Sequence, residues 1–117
     1  MLADRLAELS ARAKFGMVLG LERVRAALAE VGDPHAGLAA VHIAGSNGKG
    51  STSAMVEAIA RAAGLTTGLY TSPHLARFAE RIRLDGEPIA DAPFEACLTR
   101  ALRAVNGELT FFECLTV

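Results

Sequence analysis

The stretch Gly45-Ser46-Asn47-Gly48-Lys49-Gly50-Ser51-Thr52 constrains the fold more than any other part of the chain. It follows an almost wholly apolar run, Ala39-Ala40-Val41-His42-Ile43-Ala44. It precedes a segment with Met55, Val56, Ile59, Ala60 and Ala63 at helical spacing, which Gly64 stops. A short apolar run before a glycine loop predicts a strand covered on both faces, as in a parallel sheet. With a second strand over residues 67–70, strand, loop, helix and strand form a βαβ unit whose crossover should be right-handed. The expected class is therefore α/β, a P-loop-type parallel sheet flanked by helices.

Other elements can be read around this unit. Leu2, Leu6, Leu9 and Ala13 recur at helical spacing, as do Leu21, Val24, Leu28 and Val31, the second set ending at Gly32 before Asp33-Pro34. Beyond Thr71-Ser72-Pro73, the alternation of Arg81-Ile82-Arg83-Leu84 and the Asp85-Gly86 turn before Glu87-Pro88-Ile89 predict a hairpin. Asp91 can cap a helix whose inward face is Phe94, Cys97, Leu98, Ala101, Leu102 and Val105, closed by Gly107. Thr110-Phe111-Phe112-Glu113 has the capping-box pattern that opens a further helix. The sequence stops at Val117 without a helix stop, and so few strands would leave apolar faces uncovered. The expectation is that residues 1–117 are the incomplete N-terminal part of a larger domain.

Composition narrows the function classes. With 117 residues, 51% of them hydrophobic and 21% charged, the chain can bury a core. A formal net charge of -1 leaves no electrostatic footprint for nucleic acid or an anionic membrane. No segment approaches about eighteen consecutive apolar residues, and the N-terminus alternates charges with leucines, so neither a membrane span nor a secretion signal is expected. Cys97 and Cys114 lie far apart in apolar helical contexts and read as reduced, buried thiols of a cytoplasmic protein.

The loop suits phosphate. Glycines let successive backbone N–H groups turn around phosphate oxygens, the following helix points its positive end there, and Lys49 neutralises the outer phosphates. A triphosphate is the expected ligand. The match to G-x-x-x-x-G-K-S/T is loose, because Ile43 stands at the first glycine position and Gly50 follows Lys49; the magnesium-binding hydroxyl shifts to Ser51 or Thr52.

The string from Ala44 through Thr52 closely resembles the G-T-N-G-K-G-S loop of folylpolyglutamate and dihydrofolate synthases, relatives of the Mur cell-wall ligases; Ser46 replaces the threonine. The resemblance extends in order through Phe15-Gly16, Leu19-Gly20-Leu21-Glu22-Arg23-Val24, Gly68-Leu69-Tyr70-Thr71-Ser72-Pro73-His74-Leu75, Arg77-Phe78, Glu80-Arg81-Ile82-Arg83, Gly86-Glu87-Pro88-Ile89 and Thr110-Phe111-Phe112-Glu113 with Leu115-Thr116. It implies the first part of a Mur-ligase-like central ATPase domain, with the rest of that domain and a C-terminal domain missing. It also implies ATP and Mg2+, with L-glutamate joined to dihydropteroate or a reduced folate through an acyl phosphate. Lys49 would be the catalytic residue. This segment alone should be inactive.

Several residues keep two readings. Ser72 before Pro73 can simply open a turn, whereas the resemblance makes it a magnesium ligand and places Thr71, Pro73, His74 and Arg77 near the substrate. Glu113 can be the reciprocal partner of Thr110 in a capping box; the resemblance makes it the carboxylate that magnesium favours. His42 reads as a core histidine and His74 as more open to substrate contact, neither has a partner at zinc-ligand spacing, and His35 reads as an ordinary loop residue. Arg77, Arg81 and Arg83 suit either a carboxylate-binding patch or a solvated strand edge, the edge being favoured for Arg83. Phe111 and Phe112 read as core anchors. The competing functions are a Mur-type amino-acid ligase, which Lys49-Gly50-Ser51 and Thr71-Ser72-Pro73-His74-Leu75 disfavour, and a non-catalytic nucleotide switch.

Overall fold

A computed structural model of the chain describes residues 1–13, 20–72 and 76–117. In chain order its elements are α1 (Leu2–Arg12), α2 (Glu22–Glu30), α3 (Lys49–Ala62), β1 (Gly68–Tyr70), β2 (Ile82–Leu84), β3 (Glu87–Pro88), α4 (Asp91–Arg103) and α5 (Phe111–Thr116), with short 3-10 turns at Phe78–Arg81 and Ala104–Gly107. They form two compact units, one of Met1–Leu38 with Ala92–Val117 and one of Ala39–Asp91. No helix among the described residues is long and apolar enough to cross a membrane.

The first unit is helical. In α4 the buried residues are Phe94, Leu98, Ala101 and Leu102, the spacing of one helical face. They join Leu9 of α1, Ala27 of α2, Ala104, Leu109, and Cys114 and Leu115 of α5 in the core. Helix α2 ends as its sequence predicts: Asp33 N–H donates to Leu28 O at 2.8 Å, with Gly32 and Asp33 at positive φ. Arg12 ties the ends of this unit together. Its guanidinium donates to Leu102 O and Leu109 O, each at 2.8 Å, and to Cys114 Sγ at 3.2 Å. Leu102 lies in the last turn of α4, where carbonyls have no helical partner. Between them the chain passes through Val105 at φ 51 and Asn106 at φ 54. A β-branched residue is costly there, and Glu30 Oε2 holds the Val105 N–H at 3.0 Å.

The second unit carries a three-stranded sheet in the order β1-β2-β3, antiparallel throughout. The predicted hairpin is present. Leu84 pairs with Glu87, leaving Asp85 and Gly86 as a two-residue turn at φ 50 and φ 87. Positive φ at both positions is what the strand-matching turn demands. Helix α3 is fastened to β1 through a polar contact: Glu57, buried, accepts from Thr67 Oγ1 at 2.6 Å and from Arg61 Nε at 3.0 Å. Both donors hold its carboxyl below the usual range, Arg61 first.

Several sequence expectations are corrected here. Residues 39–44 form no strand, and neither the parallel sheet nor the βαβ crossover is present among the described residues. A strand is defined by the neighbour that completes its hydrogen-bond ladder, and no described segment pairs with this run. Val41 is accordingly 72% exposed, and His42 is exposed rather than a core residue. Met55 and Ile59, expected to face inward, are exposed, and Glu57 is the buried residue of α3. Leu21, Cys97 and Phe112 are also exposed, Phe111 is half-buried, and Asp91 is the first residue of α4 rather than its cap. Apolar periodicity reports which face seeks cover, and these short elements have less cover than the pattern asks for.

Candidate functional site

Gly48 makes the glycine loop a helix entrance. It is the N-cap of α3 at φ 74 and ψ 7, a left-handed conformation that only glycine adopts freely, and its carbonyl accepts from Thr52 N–H at 2.9 Å. No side chain caps α3 and no acid lies in its first turn. The contrast with α5 is instructive: there Thr110 and Glu113 cap each other reciprocally. The first N–H groups of α3 are therefore left to water or a ligand, at the positive end of a 14-residue helix. Among the described residues, a Cβ built at Gly45, Gly48 or Gly50 would meet nothing within 4 Å, which leaves the cradle open on that side.

The loop opens on a cavity of about 470 Å³. Ser46, Gly48, Lys49 and Gly50 line it from the loop, and Leu69, Thr71 and Ser72 line it from β1 and the segment after it. The Thr71 N–H donates to Arg81 O at 2.9 Å, which continues the β1–β2 ladder one residue further and fixes the start of the Thr71-Ser72 segment beside the loop. Lys49 and Ser72 thus share one cavity. Gly45, Asn47, Ser51 and Thr52 belong to the loop and first turn without lining it; Ser51 and Thr52 are exposed.

The remaining expected residues are placed differently. Arg77 is exposed, lies outside the cavity lining and approaches Asp91 at 3.8 Å. Arg81 is buried, with its guanidinium 5.9 Å from the Phe78 ring centroid, which makes it no solvated edge. Pro73 and His74 lie outside the described residues. Glu113 belongs to the first unit and is buried. Arg23 Nε and Nη2 donate to its Oε1 at 3.2 and 3.0 Å, Nη2 reaches Oε2 at 3.0 Å, and Thr110 N–H donates to Oε1 at 3.0 Å. Burial pushes this carboxyl up, but the Thr110 and Arg23 donors outweigh it and hold the group below the usual carboxylate range. The capping role read from the sequence is present.

Two charged residues of the cavity were not expected there. Glu80, on the turn before β2, and Arg83 of β2 both line it. Arg83 was read as a solvated edge, yet its pairing opposite Leu69 in the β1–β2 register places residue 83 on the face of residues 69 and 71.

Donor chemistry suits magnesium beside a phosphate. The serine and threonine hydroxyls near the loop are hard oxygens, and magnesium is usually completed by substrate phosphates and water rather than by an all-protein cage. Among the described residues no cluster of three histidine, cysteine or acidic side chains offers such a cage.

No protein-family model matches the chain. Among curated proteins it is 46% identical over 109 residues to a probable bifunctional folylpolyglutamate synthase/dihydropteroate synthase of Haloferax volcanii, covering 88% of this chain and 13% of that protein. It is 38% identical over 112 residues to the dihydrofolate synthase/folylpolyglutamate synthase of Bacillus subtilis, covering 90% and 26%. The crystal structure of the bifunctional folylpolyglutamate synthase/dihydrofolate synthase of Yersinia pestis superposes with a TM-score of 0.85 at 36% identity, over 98% of this chain and 29% of that one. A second structure of the Yersinia enzyme is complexed with AMPPNP and manganese. The chain therefore spans less than a third of the length of these relatives.

Proposed function

From the premise that the chain is a segment similar to folylpolyglutamate/dihydrofolate synthases over about nine-tenths of its length, we propose that the protein is an ATP-dependent ligase joining L-glutamate to the carboxylate of dihydropteroate or a folate. The carrying observation is the uncapped, acid-free start of α3, entered through left-handed Gly48, with Lys49 and Ser72 in one cavity.

In this reading the loop amides and Lys49 hold the triphosphate of ATP. The substrate carboxylate attacks the γ-phosphorus, ADP leaves, and an acyl phosphate forms. The amino group of glutamate then attacks the acyl carbon, phosphate departs, and the nitrogen loses a proton to give the amide. No side-chain nucleophile is needed, so the residues contribute positioning and charge. Thr71, Pro73, His74 and Arg77 are assigned to the substrate side. Ser72 and Glu113 would hold magnesium, which supplies charge neutralisation on the phosphates. For Glu113 that role competes with Arg23, since both would use the same carboxylate.

Residues 1–117 are assigned to the beginning of the ATP-binding domain. Residues 39–44 are assigned to a parallel strand completed by neighbours in the intact protein; their apolar sequence, left without a strand partner among the described residues, supports this.

The test is ADP release by the intact protein with ATP, magnesium, glutamate and either dihydropteroate or a reduced folate. Turnover should need both glutamate and a pterin acceptor, and Lys49→Ala should lower it at least about a hundredfold. Turnover indifferent to the acceptor, or intact in the Lys49 variant, would remove the ligase reading.

A further inference from the structure

The β-sheet of the second unit brings a second cation to the loop. Leu69 stands opposite Arg83 in the β1–β2 register, and side chains two residues apart share a face of a sheet. Leu69, Thr71 and Arg83 are thus on one face, and all three line the cavity that holds Gly48 and Lys49. The β1–β2 register is held at both ends, by Thr71 N–H donating to Arg81 O and Asp85 N–H donating to Thr67 O, each at 2.9 Å; a slip of one residue would put Ile82 or Leu84 in place of Arg83.

Outside the cavity Arg83 is engaged weakly: its charge adds, after Arg61 and Thr67, to the lowering of the Glu57 carboxyl. The arginine is half-buried, and its side chain makes one long bond, Nη1 donating to Gly86 O at 3.4 Å. None of the ion pairs among the described residues includes it. A guanidinium has five N–H donors in a fixed fork, a geometry that matches phosphate and carboxylate. Glu80 also lines the cavity and counts against an anion there. Its Oε1, however, accepts the Ala76 and Arg77 N–H groups at 3.1 Å each, so that oxygen is engaged by backbone donors.

We propose that Arg83 is a second oxyanion-binding residue of this cavity, acting with Lys49 on the outer phosphate of the nucleotide or on the carboxylate of the acceptor. The proposal rests on the nucleotide-site reading above. Lys49 enters from the helix start and Arg83 from the sheet, so the two charges approach a ligand from different elements.

The experiment uses the intact protein as wild type, Arg83→Met, Arg83→Lys and Lys49→Ala. Affinities for AMPPNP and ADP with magnesium are measured by calorimetry, the KM for the pterin acceptor by ADP release, and folding by melting temperature. With the melting temperature held, Arg83→Met should either weaken AMPPNP relative to ADP or raise the acceptor KM, by about tenfold in either case, with partial rescue by lysine. The first result names the phosphate and the second the carboxylate. An unchanged AMPPNP-to-ADP ratio together with an unchanged acceptor KM overturns the proposal, as does an equal loss for all ligands with a falling melting temperature. If Lys49→Ala leaves AMPPNP affinity untouched, the nucleotide-site reading fails, and that outcome is separate from any effect at Arg83.

Discussion

Gly48 carries two demands at once, a backbone turn and an open approach. At φ 74 an alanine would be strained by roughly 1–2 kcal/mol, while its methyl group would meet nothing within 4 Å among the described residues. Gly48→Ala should therefore lower stability by about that amount in urea unfolding, with a larger loss in nucleotide affinity, because the methyl occupies the space a phosphate would use. Glu113 makes a different prediction. Its folded carboxyl titrates below the usual range, so the unfolded chain binds the proton more readily. Its contribution is complete above the ordinary carboxylate value of about 4.3 and is lost as pH falls through the lower folded value. Glu113→Gln should cost about 1–2 kcal/mol at neutral pH, since Arg23 is only partly shielded from water. The gap between wild-type and variant melting temperatures should close on acidification; a gap independent of pH would exclude the charged pair as its source.

Among the elements, those whose geometry is written in local chemistry were legible. The Asp85-Gly86 turn sets its own register, and α4 carries enough apolar residues at helical spacing to fix its buried face. The capping box of Thr110 and Glu113 is complete within four residues. Residues 39–44 were legible only in part: an apolar run announces a need for cover but not the partner that supplies it. The same holds for Met55 and Ile59 on α3. At the site, the glycine loop could be read from spacing and context, whereas Arg83 required the register of a neighbouring strand, and Glu113 fitted two roles with one carboxylate. If residues 39–44 are a strand of a larger sheet, their amides should be slow to exchange with deuterium in the intact protein and fast in the 117-residue chain. Equal, fast exchange in both would remove the strand assignment.

At the scale of the whole chain, the first unit is assembled from both ends of the sequence. Arg12 reaches Leu109 across 97 positions, and Arg23 reaches Glu113 across 90. Such contacts form only after a long loop has closed, while the hairpin and α3 can form locally. The uncapped beginning of α3 has a consequence of its own. A helix whose first donors are unanswered is unfinished, and whatever answers them completes it. Binding there and ordering of that first turn become two readings of one equilibrium: an anion that occupies the loop adds to the stability of the segment it occupies, in proportion to the logarithm of its concentration over its dissociation constant. The protein would then be most firmly built when that anion is plentiful.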